Sequence, residues 1–164
     1  MILNQKILKE AKELIQLCSK NNIRIATIES CTGGLISSYL TAIPGSSKVF
    51  DRGLTTYSNE AKVSLAGVPE KTIERFGAVS KEVAISMANG GLSRSKANIA
   101  VSVTGIAGPG GGTEKKPVGL VHFGLARKNF DTLSFNQIFQ GNRTNIRKAS
   151  VLYSLNLIKK SMEK

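Results

Sequence analysis

Two hydrophobic rhythms alternate along the chain. Residues 3–20 place Ile7, Leu8, Ala11, Leu14, Ile15 and Cys18 at three- and four-residue spacings, which predicts an amphipathic helix. "IRIATI" (23–28) is a short, β-branched apolar run and predicts a strand, with a helix following over about Thr32–Thr41. "IPGSS" (43–47) marks a turn, and "KVFDRGLTTY" (48–57) alternates as a second strand. Ser58-Asn59-Glu60 opens a short helix with Ser58 or Asn59 as its N-cap, and "GVPEKTIERFG" holds a further helical turn or two. Ser80 is placed to cap a helix over about Lys81–Arg94. "NIAVSVTG" (98–105), apolar and β-branched up to Thr104, reads as a central strand buried on both faces. "GIAGPGGGTEKKP" (105–117), with five glycines and two prolines, is a loop. "VGLVHFGLAR" and "DTLSFNQIFQ" form an antiparallel hairpin turning near Lys128–Phe130, and a last helix covers about Arg143–Met162. This order predicts an α/β fold, three-layer α/β/α, around a mixed parallel/antiparallel sheet. No repeat, low-complexity tract or linker divides the 164 residues, so the expectation is one domain over 1–164.

Composition narrows the chemistry. No apolar run approaches the ~20 residues of a membrane span, and the Lys- and Glu-bearing N-terminus reads as a folded helix and not as a signal peptide. The two cysteines, Cys18 and Cys31, give a disulfide no support, so a reducing cytoplasm is the expected compartment. His122 is the single histidine, which makes a zinc site a poor prospect and leaves any Ser–His scheme dependent on that residue alone. Net charge is +12, from 23 Lys+Arg against 11 Asp+Glu. Such a surplus attracts anionic partners. Scattered basic residues, no Trp, three Tyr and six Phe make nucleic acid the weaker reading beside a phosphorylated metabolite.

Four segments carry polar or glycine-rich sequence where strands end or helices begin. In "ESCTGG" the row Glu29, Ser30, Cys31, Thr32 precedes Gly33 and Gly34. A helix cap explains one hydroxyl of that row. It does not explain two glycines where Ala would favour the helix by ~1 kcal/mol each. A glycine-rich helix start can instead turn backbone N–H groups toward a phosphate or an oxyanion. In "TTYSNEAK" (55–62), Tyr57, Asn59 and Lys62 each suit a strand-end aromatic, a cap and a solvated cation. Together they supply what a serine nucleophile needs without histidine, namely a lysine desolvated enough to act as base and a tyrosine as relay. In "VTGIAGPGGG", Thr104 and Gly105 end a strand beside a loop whose glycines allow close backbone approach to a ligand. In "FQGNRTNIRKAS", Arg143 and Arg147 share one face at the start of the last helix, and Arg143 is the better placed to fork onto a phosphate. Cys31 adjoins Ser30 and is the better nucleophile if ionised, so the residues alone leave that rivalry open.

Taken together, "ESCTGG", "PGSS", "YSNEAK", "GAVS", "TGIAGPGGG", "KPVG" and "GNRTNIR" resemble the CinA C-terminal domain family, the nicotinamide-nucleotide amidohydrolases, in order and spacing over roughly residues 5–160. The resemblance implies a stand-alone amidohydrolase domain that hydrolyses the carboxamide of nicotinamide mononucleotide to nicotinic acid mononucleotide and ammonia, without metal or cofactor. Carried over by motif, Ser30 is the nucleophile, with Tyr57 and Lys62 as base and relay. Cys31, Thr32, Gly33 and Gly34 surround the acyl centre and nucleotide, Asn59, Thr104 and Gly105 line the site, and Arg143 meets the 5′-phosphate. Ile28, where the family often has Ala, and Glu114-Lys115 depart from the pattern without touching these residues. The expected partner is an anionic mononucleotide, with no membrane and no nucleic acid. A homo-oligomer is expected from the apolar helix faces of a small basic domain. The competing reading is a non-catalytic nucleotide-binding module linked to competence or DNA damage.

Overall fold

The computed structural model describes residues 3–163. Its elements are α1 (Gln5–Lys20), β1 (Ile25–Glu29), α2 (Leu35–Thr41), a 3₁₀ turn (Ser46–Lys48), β2 (Phe50–Thr55), α3 (Asn59–Ala66), α4 (Glu70–Phe76), α5 (Lys81–Ser93), β3 (Ile99–Gly105), β4 (Leu120–Arg127), β5 (Leu133–Ile138) and α6 (Arg143–Ser161). The five strands form one sheet in the order β2-β1-β3-β4-β5. β1 runs parallel to β2 and β3, while β4 is antiparallel to both β3 and β5. The predicted mixed sheet is therefore present.

Two helical layers cover it. Helices α1, α2 and α6 close one face over a core that includes Leu14, Ile25, Ile36, Val101, Phe123 and Leu155. Helices α3, α4 and α5 close the other over Ile28, Ala66, Val83, Met87 and Ala100. Caps follow the local chemistry: the side chains of Asn4, Ser58, Ser80 and Asn142 accept from backbone N–H groups in the first turns of α1, α3, α5 and α6. Several boundaries shift by one to three residues from the sequence reading, two of them for a plain reason. Helix α2 begins at Leu35 and not at Thr32, because Gly33 and Gly34 adopt φ of 58° and 89°, outside the right-handed helical region. Strand β2 begins at Phe50, because Ser46–Lys48 closes a 3₁₀ turn first.

The connections create a crevice. β1 leads into α2 on one face of the sheet, and β2 leads into α3 on the other. Adjacent strands whose carboxyl ends depart to opposite faces leave a gap between them, where open α/β sheets bind ligands. Ser30 follows β1 and Lys62 lies on α3, so both stand at this gap.

Candidate functional site

Strand parity decides which side chain of the corner faces the crevice. In β1, Ile25 packs into the α1/α2/α6 core and Glu29 bonds to α2, while Ala26 and Ile28 pack toward α3–α5. The ladder continues one residue past the strand, where the Ser30 N–H donates to Val103 O at 2.9 Å. Alternation then turns Ser30 toward α3 and Cys31 back into the α1/α2/α6 core.

Lys62 meets Ser30 there. Its Nζ lies 3.1 Å from Ser30 Oγ, 3.0 Å from Thr56 O and 3.4 Å from Tyr57 O. The lysine is only 2% exposed. Desolvation holds its pKa below the usual 10.5, opposed by the nearby Cys31. No carboxylate is among its hydrogen-bonding partners. Nζ donates to all three of these oxygens, and once the amine loses a proton two N–H donors can serve the two carbonyls and leave the lone pair for the serine hydroxyl. Burial shifts Cys31 the other way on the pH scale. Burial pushes its thiol up to about 12, and its side chain packs among hydrophobic residues.

Glu29 organises the corner from beneath. The carboxylate is fully buried, and its Oε2 accepts from Ile36 N at 3.0 Å. Its Oε1 accepts from Ser37 N at 2.9 Å and Ser37 Oγ at 2.7 Å. Gly34 has no side chain with which to cap α2, so Glu29 caps it from one strand away. The helix N-terminus expected to receive a ligand anion is thus engaged by an internal one. The N–H groups of Cys31, Thr32 and Gly34, ahead of the helix, find no backbone acceptor.

Three elements meet over the crevice. Arg143, at the start of α6, donates from Nη1 to Gly108 O at 3.0 Å and from Nη2 to the Tyr57 hydroxyl at 3.0 Å. Tyr57 is 57% exposed, and its phenol is turned to Arg143 and not to Ser30. Its bond to Lys62 is through the main-chain carbonyl. Arg147, one turn further along α6, donates to Thr32 O at 2.7 Å and stands next to exposed Gly33. The Thr32 and Thr56 hydroxyls are buried without a protein partner.

The remaining expected residues sit further out. The Thr104 hydroxyl donates to Ala78 O at 2.7 Å and ties β3 to the α4–α5 connection. Gly105 lets β3 and β4 approach, since a Cβ there would meet Val121 and the Leu120 carbonyl. Asn59 opens α3 and lines a cleft with Glu60, Glu70 and Glu74, and it makes no hydrogen bond to Ser30 or Lys62. His122 pairs with Thr104 across β3–β4. Burial and Lys116 hold its imidazole below the usual range, against the pull of Glu82. Sequence reasoning missed two contributors, the Glu29 cap and the Thr56 and Tyr57 carbonyls around Lys62, and it ranked Arg147 below Arg143 without foreseeing its clamp on Thr32 O. Arg147 had left a signal in its four-residue spacing from Arg143.

Among the described residues no helix is long and apolar enough to cross a membrane, and no three His, Cys, Asp or Glu side chains gather as a metal site. The chain is 48% identical over 159 residues to a competence-damage inducible protein of Caldicellulosiruptor bescii, covering 97% of this chain and 38% of that one. It is 40% identical over 152 residues to the nicotinamide-nucleotide amidohydrolase PncC of Shigella flexneri, covering 93% of this chain and 92% of that one. The fold superposes on the crystal structure of the competence/damage inducible protein CihA from Agrobacterium tumefaciens with a TM-score of 0.94, at 45% identity and 98% coverage of each chain. Residues 8–162 match the profile of the CinA C-terminal domain, and the chain belongs to that family.

Proposed function

We propose that the chain is a nicotinamide-nucleotide amidohydrolase acting through a Ser30–Lys62 pair. The observation that carries this reading is the buried 3.1 Å contact between Lys62 Nζ and Ser30 Oγ, with two carbonyls occupying the other positions around the amine. The similarity to the PncC protein of Shigella flexneri supports the choice of substrate. In the proposed reaction Lys62 takes the proton from Ser30 as Oγ attacks the carboxamide carbon. The C–N bond then breaks, and the departing nitrogen takes that proton and leaves as ammonia. Water, deprotonated by Lys62, cleaves the resulting ester; Lys62 returns that proton to Ser30 Oγ, and the carboxylic acid formed releases its own proton to solvent to give the carboxylate.

The N–H groups of Cys31, Thr32 and Gly34, which have no backbone acceptor, are the candidate oxyanion donors, since Ile36 and Ser37 already serve Glu29. Arg143, at the exposed rim, is the proposed phosphate contact, and Tyr57 positions it. Relay of the proton by Tyr57 has weaker support, because its hydroxyl is bonded to Arg143. Cys31 serves packing, because a thiol at about 12 supplies almost no thiolate at neutral pH.

The test is ammonia release from nicotinamide mononucleotide in the presence of chelator. Wild type and Cys31→Ala should be active, and Ser30→Ala should be inactive. A dead Cys31→Ala beside an active Ser30→Ala would move the nucleophile. A silent wild type that still binds the nucleotide would leave a binding module.

A further inference from the structure

Tyr57 bridges the two ends of the crevice. Its main-chain carbonyl is 3.4 Å from Lys62 Nζ, and its hydroxyl accepts from Arg143 Nη2 at 3.0 Å. One residue thus reaches from the Ser30–Lys62 pair to the proposed phosphate contact. The side chain stays 57% exposed although its hydroxyl is held. Phe123, Phe139 and Tyr153, by contrast, pack on one another in the α1/α2/α6 layer.

The charged groups around the crevice are cationic. Lys62 and Arg143 border it, and Arg147 stands beside Gly33 while holding Thr32 O. Glu29, the carboxylate of the corner, is fully buried and engaged by Ile36 and Ser37 of α2. Glu60, in the first turn of α3, lines the α3–α4 cleft with Glu70 and Glu74. Such a crevice attracts the phosphate of a mononucleotide and repels a positively charged pyridinium ring. The electron-rich face of a phenol is the one feature here that attracts a cation without carrying charge itself.

We infer that the Tyr57 ring is the platform on which the substrate's pyridinium lies, and that it makes the site selective for the cationic ring over the neutral, reduced one. The inference rests on the proposed amidohydrolase reading, which sets the two ends of the ligand, carboxamide at Ser30 and phosphate at Arg143. Between those ends a mononucleotide carries its pyridinium ring and ribose. Between the matching anchors the protein presents the Tyr57 side chain. This role belongs to the aromatic ring, whereas positioning Arg143 needs the hydroxyl.

Calorimetric titration of the full chain carrying Ser30→Ala, so that no turnover intervenes, tests the inference with two ligands. They are nicotinamide mononucleotide and its reduced, dihydropyridine form, which share carboxamide, ribose and phosphate and differ in ring charge. The readout is the ratio of their Kd values at fixed ionic strength. An effect common to both ligands, such as a displaced Arg143 or a loosened fold, cancels from that ratio. Adding Tyr57→Leu should shift the ratio by roughly 3–30-fold toward the reduced form, the range of a cation–π contact. Tyr57→Phe keeps the ring and loses the hydroxyl, so it should weaken both ligands and preserve the ratio. Glu60→Gln should leave the ratio as it was. A ratio that Tyr57→Leu does not move overturns the inference. So does one that collapses in Tyr57→Phe, which would assign the selectivity to the hydroxyl, or in Glu60→Gln, which would assign it to a carboxylate. Ammonia release by wild type decides the proposed function separately, and a Ser30→Ala protein that binds neither form overturns the platform outright.

Discussion

At Lys62 the burial that favours a neutral amine also sets how stability varies with pH. A lysine in the unfolded chain keeps its proton up to a pH of about 10.4, whereas desolvation lowers the folded value. Between the two values the unfolded state holds more protons, so stability rises with pH across that window. Below the folded pKa the chain must bury an ammonium. Lys62→Met should therefore flatten the stability–pH profile in that window, which denaturant melts at several pH values would show. It should also cut turnover by roughly 10²–10⁴-fold, the usual range for loss of a general base. In wild type, kcat/KM should rise with pH through an apparent pKa below 10.5. A flat profile would count against Lys62 as the base.

Among the elements, α5 and α2 depend on residues that sequence periodicity does not flag. A Cβ at Gly90 would collide with the Ala66 carbonyl, and one at Gly91 with Ile28 Cδ1. The glycine pair lets α5 lie against the end of α3 and against β1, and it gives Ile28 its space. Gly90→Ala would gain about 1 kcal/mol of helix propensity. It should nevertheless destabilise the fold by roughly 1–3 kcal/mol or more, because backbone must move. A denaturant midpoint above that of wild type would refute this. Glu29 is a comparable case at α2. Glu29→Ala leaves the Ile36 and Ser37 donors without their buried acceptor, at roughly 3 kcal/mol or more, and frees the corner that holds Ser30. Stability and turnover should fall together in that variant.

Over the whole molecule, the order of elements was legible because each carries its own period, cap or glycine break. The face on which Ser30 lies was not. β1 is buried on both sides, so "IATIE" has no apolar–polar alternation from which parity could be read. The Lys62 environment was half legible. The lysine could be named, but the carbonyls of Thr56 and Tyr57 that hold it are backbone atoms any residue supplies. The Glu29 cap spans seven and eight residues to Ile36 and Ser37, a reach no local motif encodes. The charge excess does act at this scale. Under the proposed function, a +12 protein would draw its anionic substrate from beyond contact distance, and salt shortens that reach to about 10 Å at 0.1 M. Raising ionic strength should lower kcat/KM for the mononucleotide severalfold. Nicotinamide riboside, a pyridinium cation without the phosphate, should show no loss or a small gain in the same assay.

The opposed facing of Ser30 and Cys31 has a pharmacological consequence. Iodoacetamide needs an accessible thiolate, and both cysteines of the folded chain are buried, with thiols pushed up to about 12. Alkylating agents should therefore leave native protein unlabelled by mass spectrometry and label both sites after denaturation. A pyridine-bearing boronic acid, whose boron accepts a hydroxyl oxygen, should engage Ser30 instead. An inhibitor programme built on thiol warheads would thus be aimed at the wrong side of the sheet.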